Sequence, residues 1–402
     1  SYQNLSIFDS TTFHGLNSIT SLDIAQNNIY FLNKRTFSSM TNLFALYLSY
    51  NKLSSLNRES FEGLSNLMVL TLSKNILTTL EPKEFSFLNF LMYLFINGNK
   101  IENIKLNAFE GLENLLVLNL NDNKLKFIQN YNFENLEYLE GLYLSNNQIS
   151  KIEYNSFNKL KNLIVLDLSH NCIFFIDSRL LINLYNLKEL YLNYNTIQRL
   201  KKDWFKNLQN LRKLYLNNNL LFKLESNVFS YLKNVQFLQL SNNLIGHIKF
   251  DAFNQLSNLN SLNLNFNNII KVNNLHSIEI PSLKVLNLSH TSKELINNIN
   301  FTLLVNLTFL DLSFNKLDFE FIQRISFNSM KKLHFLNLNG NLLNNANYLS
   351  EFLKRILNEN LKEIDLNDNN LYLKNFINLF YNYSNMEIIK IRHANLSNLD
   401  SD

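Results

Sequence analysis

The stretch Leu115–Leu139, LLVLNLNDNKLKFIQNYNFENLEYL, sets the phase of the whole chain. Its regular positions are Leu115, Leu118, Leu120, Asn123, Leu125, Ile128, Phe133 and Leu136, and Leu139 begins the series again. The spacing is LxxLxLxxNxL followed by xxIxxxxFxxL. The asparagine recurs at Asn27, Asn51, Asn75, Asn99, Asn123, Asn147, Asn171, Asn195, Asn219, Asn243 and Asn267, and the step between successive markers never changes. Neither helical nor strand amphipathicity has so long a period. It marks supersecondary units stacked around one continuous core.

Within each unit the LxL segment is expected to be a strand, with its leucines inward and the intervening residues facing outward. Strands of successive units would pair in parallel about 4.8 Å apart on the concave side of an arc. The asparagine follows the strand, where its amide can satisfy backbone groups of its own and the neighbouring turn. That column therefore reads as structural. A second column, Phe37, Phe61, Phe85, Phe109, Phe133, Phe157, Phe205, Phe229 and Phe253, with Leu181 as its one substitution, reads as an aromatic spine on the convex side.

The rhythm falters between Asn273 and Lys293. Ser277 stands where Phe belongs, Pro281 follows, Thr291 replaces the asparagine, and Lys293 occupies an inward leucine position. The phase returns at Asn315, after which the markers are Asn341, Asn369 and Ala394, so that every later repeat is longer than the regular one. The added residues have helical spacing: Leu349, Phe352, Leu353, Ile356 and Leu357 fall on one apolar face. Phe319–Lys332 and Leu373–Tyr383 are weaker helix candidates. The expectation is one solenoid over 1–402, regular over 1–272, irregular over 273–296 and lengthening over 297–402. Its convex side should be irregular or 3₁₀ at first and helical after about residue 319.

The bulk numbers restrict function. A net charge of +4 over 402 residues implies no global attraction to polyanions. No run of about 18 apolar residues is present to span a membrane. There is no phosphate-cradling GxxxxGK[ST], no HExxH, no GxSxG and no paired CxxC, so no enzyme and no cofactor are expected. His170 and Cys172 flank Asn171, but two candidate ligands do not make a metal site. His170, His290 and His393 share the phase just before the marker and read as exposed residues at a variable position.

Recognition is left to the outward columns of the strands. The central one reads Asp23, Tyr47, Thr71, Phe95, Asn119, Tyr143, Asp167, Tyr191, Tyr215, Gln239, Asn263, Asn287, Asp311, Asn337 and Asp365. Flanking columns add Tyr50, Tyr93, Tyr194 and Phe237. Aromatic side chains with polar tips on a fixed scaffold suit a protein interface, although Tyr and Phe also suit strands as such. The candidate partner-binding residues are therefore Tyr47, Tyr50, Tyr93, Phe95, Tyr143, Tyr191, Tyr194, Tyr215 and Phe237. A basic line, Lys151, Arg199, Lys223, His247 and Lys271, with Lys201, Lys202, Lys206, Arg212 and Lys213 nearby, offers a sulfated glycan or nucleic acid a second site; a solvated face is the plainer reading. Asn-x-Ser/Thr triplets at Asn4, Asn287, Asn300, Asn306, Asn382 and Asn395 are candidate N-glycosylation acceptors at exposed phases. A glycan on Asn287 would obstruct the later half of the concave face and leave the aromatic first half free.

Segments such as LKNLIVLDLSHN, LVNLTFLDLSFNKL and FEGLSNLMVLTLSKN resemble the typical class of leucine-rich repeats, as in Toll-like receptor ectodomains and chaoptin-like adhesion proteins. The resemblance covers essentially the whole chain. It implies an α/β right-handed leucine-rich repeat solenoid, a curved horseshoe with parallel strands on its concave face. It further implies a protein-binding recognition or adhesion module, extracellular or at the cell surface. Its partner would be a protein ligand or, in a homodimer, a second copy, with membrane attachment only through segments outside this chain. Relatives of this class close their ends with cysteine-rich caps, whereas Cys172 is alone here. We expect that caps were trimmed from these boundaries; a reducing compartment is the alternative. A self-associating repeat array and an intracellular scaffold remain the competing readings.

Overall fold

A computed structural model describes residues 7–8, 11–249, 251–272, 280–344, 348, 351–353, 356, 360–371 and 386–393. The chain forms two compact units, Ser1–Ile197 with Asp203–Leu211, and Gln198–Lys202 with Arg212–Asp402. Each is a solenoid of parallel strands.

In the first unit three-residue strands succeed one another at Ser21–Asp23, Ala45–Tyr47, Val69–Thr71, Tyr93–Phe95, Val117–Asn119, Gly141–Tyr143, Val165–Asp167 and Glu189–Tyr191. Each pairs in parallel with the next, and Leu46 stands opposite Leu22 and Leu70. The register thus advances by one full repeat at each step. Across most of these strands the middle leucine is buried and the outer residues are not, as in Ala45–Leu46–Tyr47; Leu22 is half-buried and Gly141 is buried. The second unit repeats this with Lys213–Tyr215, Phe237–Gln239, Ser261–Asn263, Val285–Asn287, Phe309–Asp311, Phe335–Asn337, Glu363–Asp365 and Ile388–Lys390. Register survives the longer repeats there, since Asp311 still faces Asn337 and Asn337 faces Asp365. The additional residues are looped out after the strand rather than inserted into it.

The asparagine column does the bonding expected of it. Asn75 Nδ2 donates to the carbonyls of Leu72 and of Leu48 one repeat earlier, each at 3.0 Å, while its Oδ1 accepts from Leu53 N–H at 3.0 Å. One side chain thereby satisfies three backbone groups that no strand or helix would satisfy, and leaving each bare in the core would cost about 1–3 kcal/mol. Thr291 keeps only part of this role. Its hydroxyl donates to Leu288 O at 2.7 Å, but it is too short to reach back a repeat. Behind the strands the phenylalanine column is buried and stacked. Phe61, Phe85, Phe109, Phe133 and Phe157 stand 6.1–6.3 Å apart in the first unit, and Phe229 and Phe253 stand 6.0 Å apart in the second.

Between strand and phenylalanine run two-residue flanking strands. In the first unit these pair as Ile7–Phe8 with Phe31–Leu32, Thr79–Leu80 with Asn103–Ile104, and Phe127–Ile128 with Lys151–Ile152. In the second unit Lys223–Leu224, His247–Ile248 and Lys271–Val272 form a run of three.

The helical expectation needs correcting in two places. Among the described residues the first α-helix is Lys293–Asn297, which begins inside the zone read as irregular and ends well before residue 319. Ser292 caps it by accepting Leu295 N–H at 3.1 Å, and Leu295 and Ile296 are its buried residues. Lys293 is consequently not an inward residue. It is half-exposed, its Nζ bonds Asp318 at 2.7 Å, and its ammonium lies 5.0 Å from the Phe321 ring centre. The span Phe319–Lys332 is also not one helix. It carries a short helix at Phe319–Ile322, capped by Asp318, and a 3₁₀ turn at Phe327–Ser329. Its apolar positions 319, 321, 322, 325 and 327 do not keep one helical face. Phe352, Leu353 and Ile356 are helical and buried as expected. Leu349, Leu357, Leu373–Tyr383, Ser277 and Ala394 lie outside the described residues.

Candidate functional site

The open face of each sheet presents the residues on either side of the buried leucine. All nine candidate aromatics project from the core: Tyr47, Phe95, Tyr143, Tyr191 and Tyr215 are half-buried on the strands, and Tyr50, Tyr93, Tyr194 and Phe237 are exposed.

In the first unit they fall into two groups. Tyr47 and Phe95 share a column two strands apart with Thr71 between, and Tyr93 lies beside Phe95. Further along, Tyr143 and Tyr191 flank Asp167 on consecutive strands. Gly141, two residues before Tyr143, has no side chain to resist the ring: a Cβ there would stand 3.0 Å from Tyr143 Cε2. Burial under these neighbours raises the Tyr143 phenol above its ordinary value, and the carboxylates of Glu189 and Asp167 push the same way. The phenol therefore stays a neutral donor throughout the physiological range. Tyr191 Oη donates to Glu189 Oε2 at 2.6 Å, which fixes its ring on the sheet.

A shared device sets the polar members of the central column. Asp23, Asn119, Asp167, Asn263, Asn287, Asp311, Asn337 and Asp365 each accept, through Oδ1, the backbone N–H two residues on, at 2.9–3.0 Å. The turn after each strand is thereby capped, and the second polar atom of each side chain is held in a constant orientation.

Tyr50 and Tyr194 sit elsewhere, in the position just before the marker. There the backbone is left-handed, with φ +56° and +54°. The same conformation holds for His170, Phe266, His290, Phe314 and His393. Repeated at one phase, it sends these side chains out in one direction and stacks them. His170 lies 4.1 Å from Tyr194; in the second unit Phe266, His290 and Phe314 stack at 4.3 and 4.4 Å. The stack ends at Gly340, where a Cβ would come within 2.4 Å of the Phe314 ring. At the start of the strands Phe309–Asp311 and Phe335–Asn337, the Phe309 and Phe335 rings stack at 4.5 Å with planes 6° apart.

The sheet of the second unit thus carries aromatic rings beside the amides and acids of its central column. The signal for the first stack was present at the regular spacing, in the column before the marker. Phe309 and Phe335 are separated by one of the lengthened repeats, which hid their alignment. Tyr215 and Phe237 occupy neighbouring strands of this unit in different columns.

The basic line is largely engaged. Lys151 lies 5.0 Å over the Phe127 ring, Arg199 4.9 Å over Phe222, and Lys202 5.2 Å over Tyr231. Lys223 pairs with Glu225 at 2.8 Å. Of the candidate glycosylation sites, Asn287 is half-buried in the sheet column. Asn300 caps a 3₁₀ turn by accepting Thr302 N–H at 3.2 Å, and Asn306 Nδ2 donates to Pro281 O at 2.9 Å. Asn4, Asn382 and Asn395 lie outside the described residues. Among the described residues no three His, Cys, Asp or Glu come together as metal ligands, and no helix is long and apolar enough to cross a membrane.

This geometry can be set beside known proteins. Among solved structures the chain is similar to a leucine-rich repeat protein of Leptospira interrogans, at 25% identity and TM-score 0.71 over 96% of this chain and 100% of that one. It is similar to the leucine-rich repeat domain of APL1B, at 25% identity and TM-score 0.60 over 74% of this chain and 84% of that one. The Drosophila Toll–Spatzle complex shares the fold, at 20% identity and TM-score 0.66 over 97% of this chain and 53% of that one. No curated protein sequence matches. The leucine rich repeat profile matches residues 1–53, 45–101, 89–149, 137–197 and 185–245. With the buried asparagine ladder and the parallel register, those matches show that the chain belongs to the leucine-rich repeat family.

Proposed function

We propose that the chain is the ligand-recognition or adhesion part of a secreted or cell-surface protein, and that it binds a protein partner through the open sheet face. The observation that carries this reading is the set of outward aromatic side chains with polar tips, Tyr143 and Tyr191 above all, on strands in constant register. Such groups lose little side-chain freedom when they bind, so contact area converts into affinity with a small ordering penalty. The Toll–Spatzle structure is a complex, as is that of the plant peptide hormone receptor RGFR1 with RGF2, which shares the fold at 22% identity and TM-score 0.66. Those pairings support binding in general and name no ligand for this chain.

N-glycans on Asn287, Asn300 and Asn306 belong to the same proposal. One on Asn287 would shield the Phe309–Phe335 pair and leave the tyrosines of the first unit open.

The test is a screen of the immobilised chain against an array of secreted proteins and ectodomains. Each hit is then measured on a Tyr143→Ala, Tyr191→Ala, Tyr215→Ala variant with unchanged circular dichroism. The variant should lose at least about tenfold in affinity, the equivalent of about 1.4 kcal/mol. Hits that bind the variant as well as the parent, or an array without hits, reject the sheet face.

A further inference from the structure

A cavity of about 510 Å³ opens on the flank of the first unit, outside the wide sheet, between the segments Ser150–Asn155 and Phe174–Asp177. The segment facing Lys151–Ile152 across it forms no strand. At the step before it, as between Thr79–Leu80 and Asn103–Ile104, the flanking segments of successive repeats bond to each other: Ser150 N–H donates to Lys126 O at 3.0 Å, and Glu153 N–H donates to Ile128 O at 2.9 Å. One repeat later the equivalent acceptors are the carbonyls of Ser150 and Ile152, and among the described residues neither accepts a hydrogen bond. A second support fails at the same place. Ser156 sends its hydroxyl back to the carbonyl of Ile128, as Ser60 does to Leu32, but the next repeat has Leu180 in that position, which has no side-chain donor. The strand Lys151–Ile152 therefore ends its small sheet with an open edge.

The opposite wall is apolar and exposed. Phe174 and Phe175 are 63% and 45% exposed, and the Phe175 ring is propped edge-on against Trp204 at 6.2 Å. Beside them the outer face of Tyr154 is covered by the Arg179 guanidinium at 3.9 Å, which Asp177 holds in place. Exposed neighbouring aromatics facing a row of unpaired carbonyls is the arrangement of a sheet edge that accepts another strand.

We propose that this groove binds one extended segment of a protein partner, which adds a strand to the Lys151–Ile152 edge. Its N–H groups donate to the Ser150 and Ile152 carbonyls, and its alternate apolar side chains lie against Phe174 and Phe175. Occupant and wall are matched by chemistry: the edge supplies acceptors, so the ligand must be a backbone with free donors in extended form. A compact ligand without spaced N–H groups leaves those carbonyls dry and unpaired.

A displayed library of random heptapeptides panned against the chain tests this. Enriched sequences should alternate apolar and polar residues. A synthetic peptide of that kind, N-methylated at alternate residues, should bind at least about tenfold more weakly, since methylation removes the donors and leaves the side chains. Phe174→Lys, at a site exposed enough to tolerate the change, should weaken binding by a similar factor. Tyr143→Ala with Tyr191→Ala should leave it unchanged, which separates this site from the sheet face. The proposal is overturned if no peptide is enriched, if the methylated peptide binds equally well, or if binding ignores Phe174. A chain that dimerises through this edge in sedimentation, with the dimer lost in Phe174→Lys, overturns it too, because the occupant would then be a second copy.

Discussion

Glu84 sits one residue before Phe85, in a column that is otherwise filled by small or neutral side chains such as Ser60, Ala108, Asn132 and Ser156. It is 3% exposed, and its Oε2 has no hydrogen-bond partner. Burial pushes its carboxyl from 4.5 up to about 8, and the charge of Glu81 adds to this; backbone hydrogen bonds at Glu81 and Leu56 only partly oppose it. Because the folded pKa lies above the unfolded one, the folded state holds the proton more tightly. The stabilising contribution is complete below about pH 4.5 and declines as pH rises, until the folded group also ionises near pH 8. At about 1.4 kcal/mol per pH unit, moving from about pH 5 to about pH 8.5 removes about 4 kcal/mol.

Glu84→Gln cannot ionise and keeps the shape. Denaturant unfolding of parent and variant across that range should show similar stability at the acid end and a variant more stable by about 4 kcal/mol at the alkaline end. Because repeats can open separately, amide exchange of Leu70 and Leu94 should be followed alongside the bulk signal. A difference that stays constant with pH would refute the reasoning, since it would mean that Glu84 ionises as it does in water.

Asn123→Ala should be far more damaging than its size suggests. It removes the bonds to Ile96 O, Leu120 O and Ile101 N–H, at 3.1, 3.0 and 3.0 Å, and leaves buried backbone unpaired, for a loss of about 3 kcal/mol or more in chemical unfolding. Gly340→Ala adds a Cβ at φ +64° against the Phe314 ring. A loss of about 1–2 kcal/mol is expected, with a shift of the His290 ring resonances as the stack moves; unchanged resonances would count against the stack.

How far these features could be read without coordinates depends on whether they are made by spacing. The ladder from Asn27 to Asn267 and the phenylalanine column are purely periodic, so their burial and bonding follow from counting. Lys293 misled because a period assigns it a place, while Ser292 and the buried pair Leu295–Ile296 make a helix there instead. The Phe266–His290–Phe314 stack was spaced like everything else, but its meaning lies in a left-handed backbone that spacing does not reveal. The flank cavity left no pattern at all. Along its edge the Ser150 and Ile152 carbonyls receive no bond from the following repeat, and an unmade bond has no sequence motif.

The left-handed position before each marker has one more consequence. From Gln26 through Tyr50, Lys74, His170, Phe266 and His393, no valine, isoleucine or threonine occupies it. Branching at Cβ crowds that conformation most, so the site filters residues by shape rather than by polarity. Within this chain, forbidden branching is as sound a ruler for numbering repeats as any leucine, and it can be read along the very rim where variation is otherwise free.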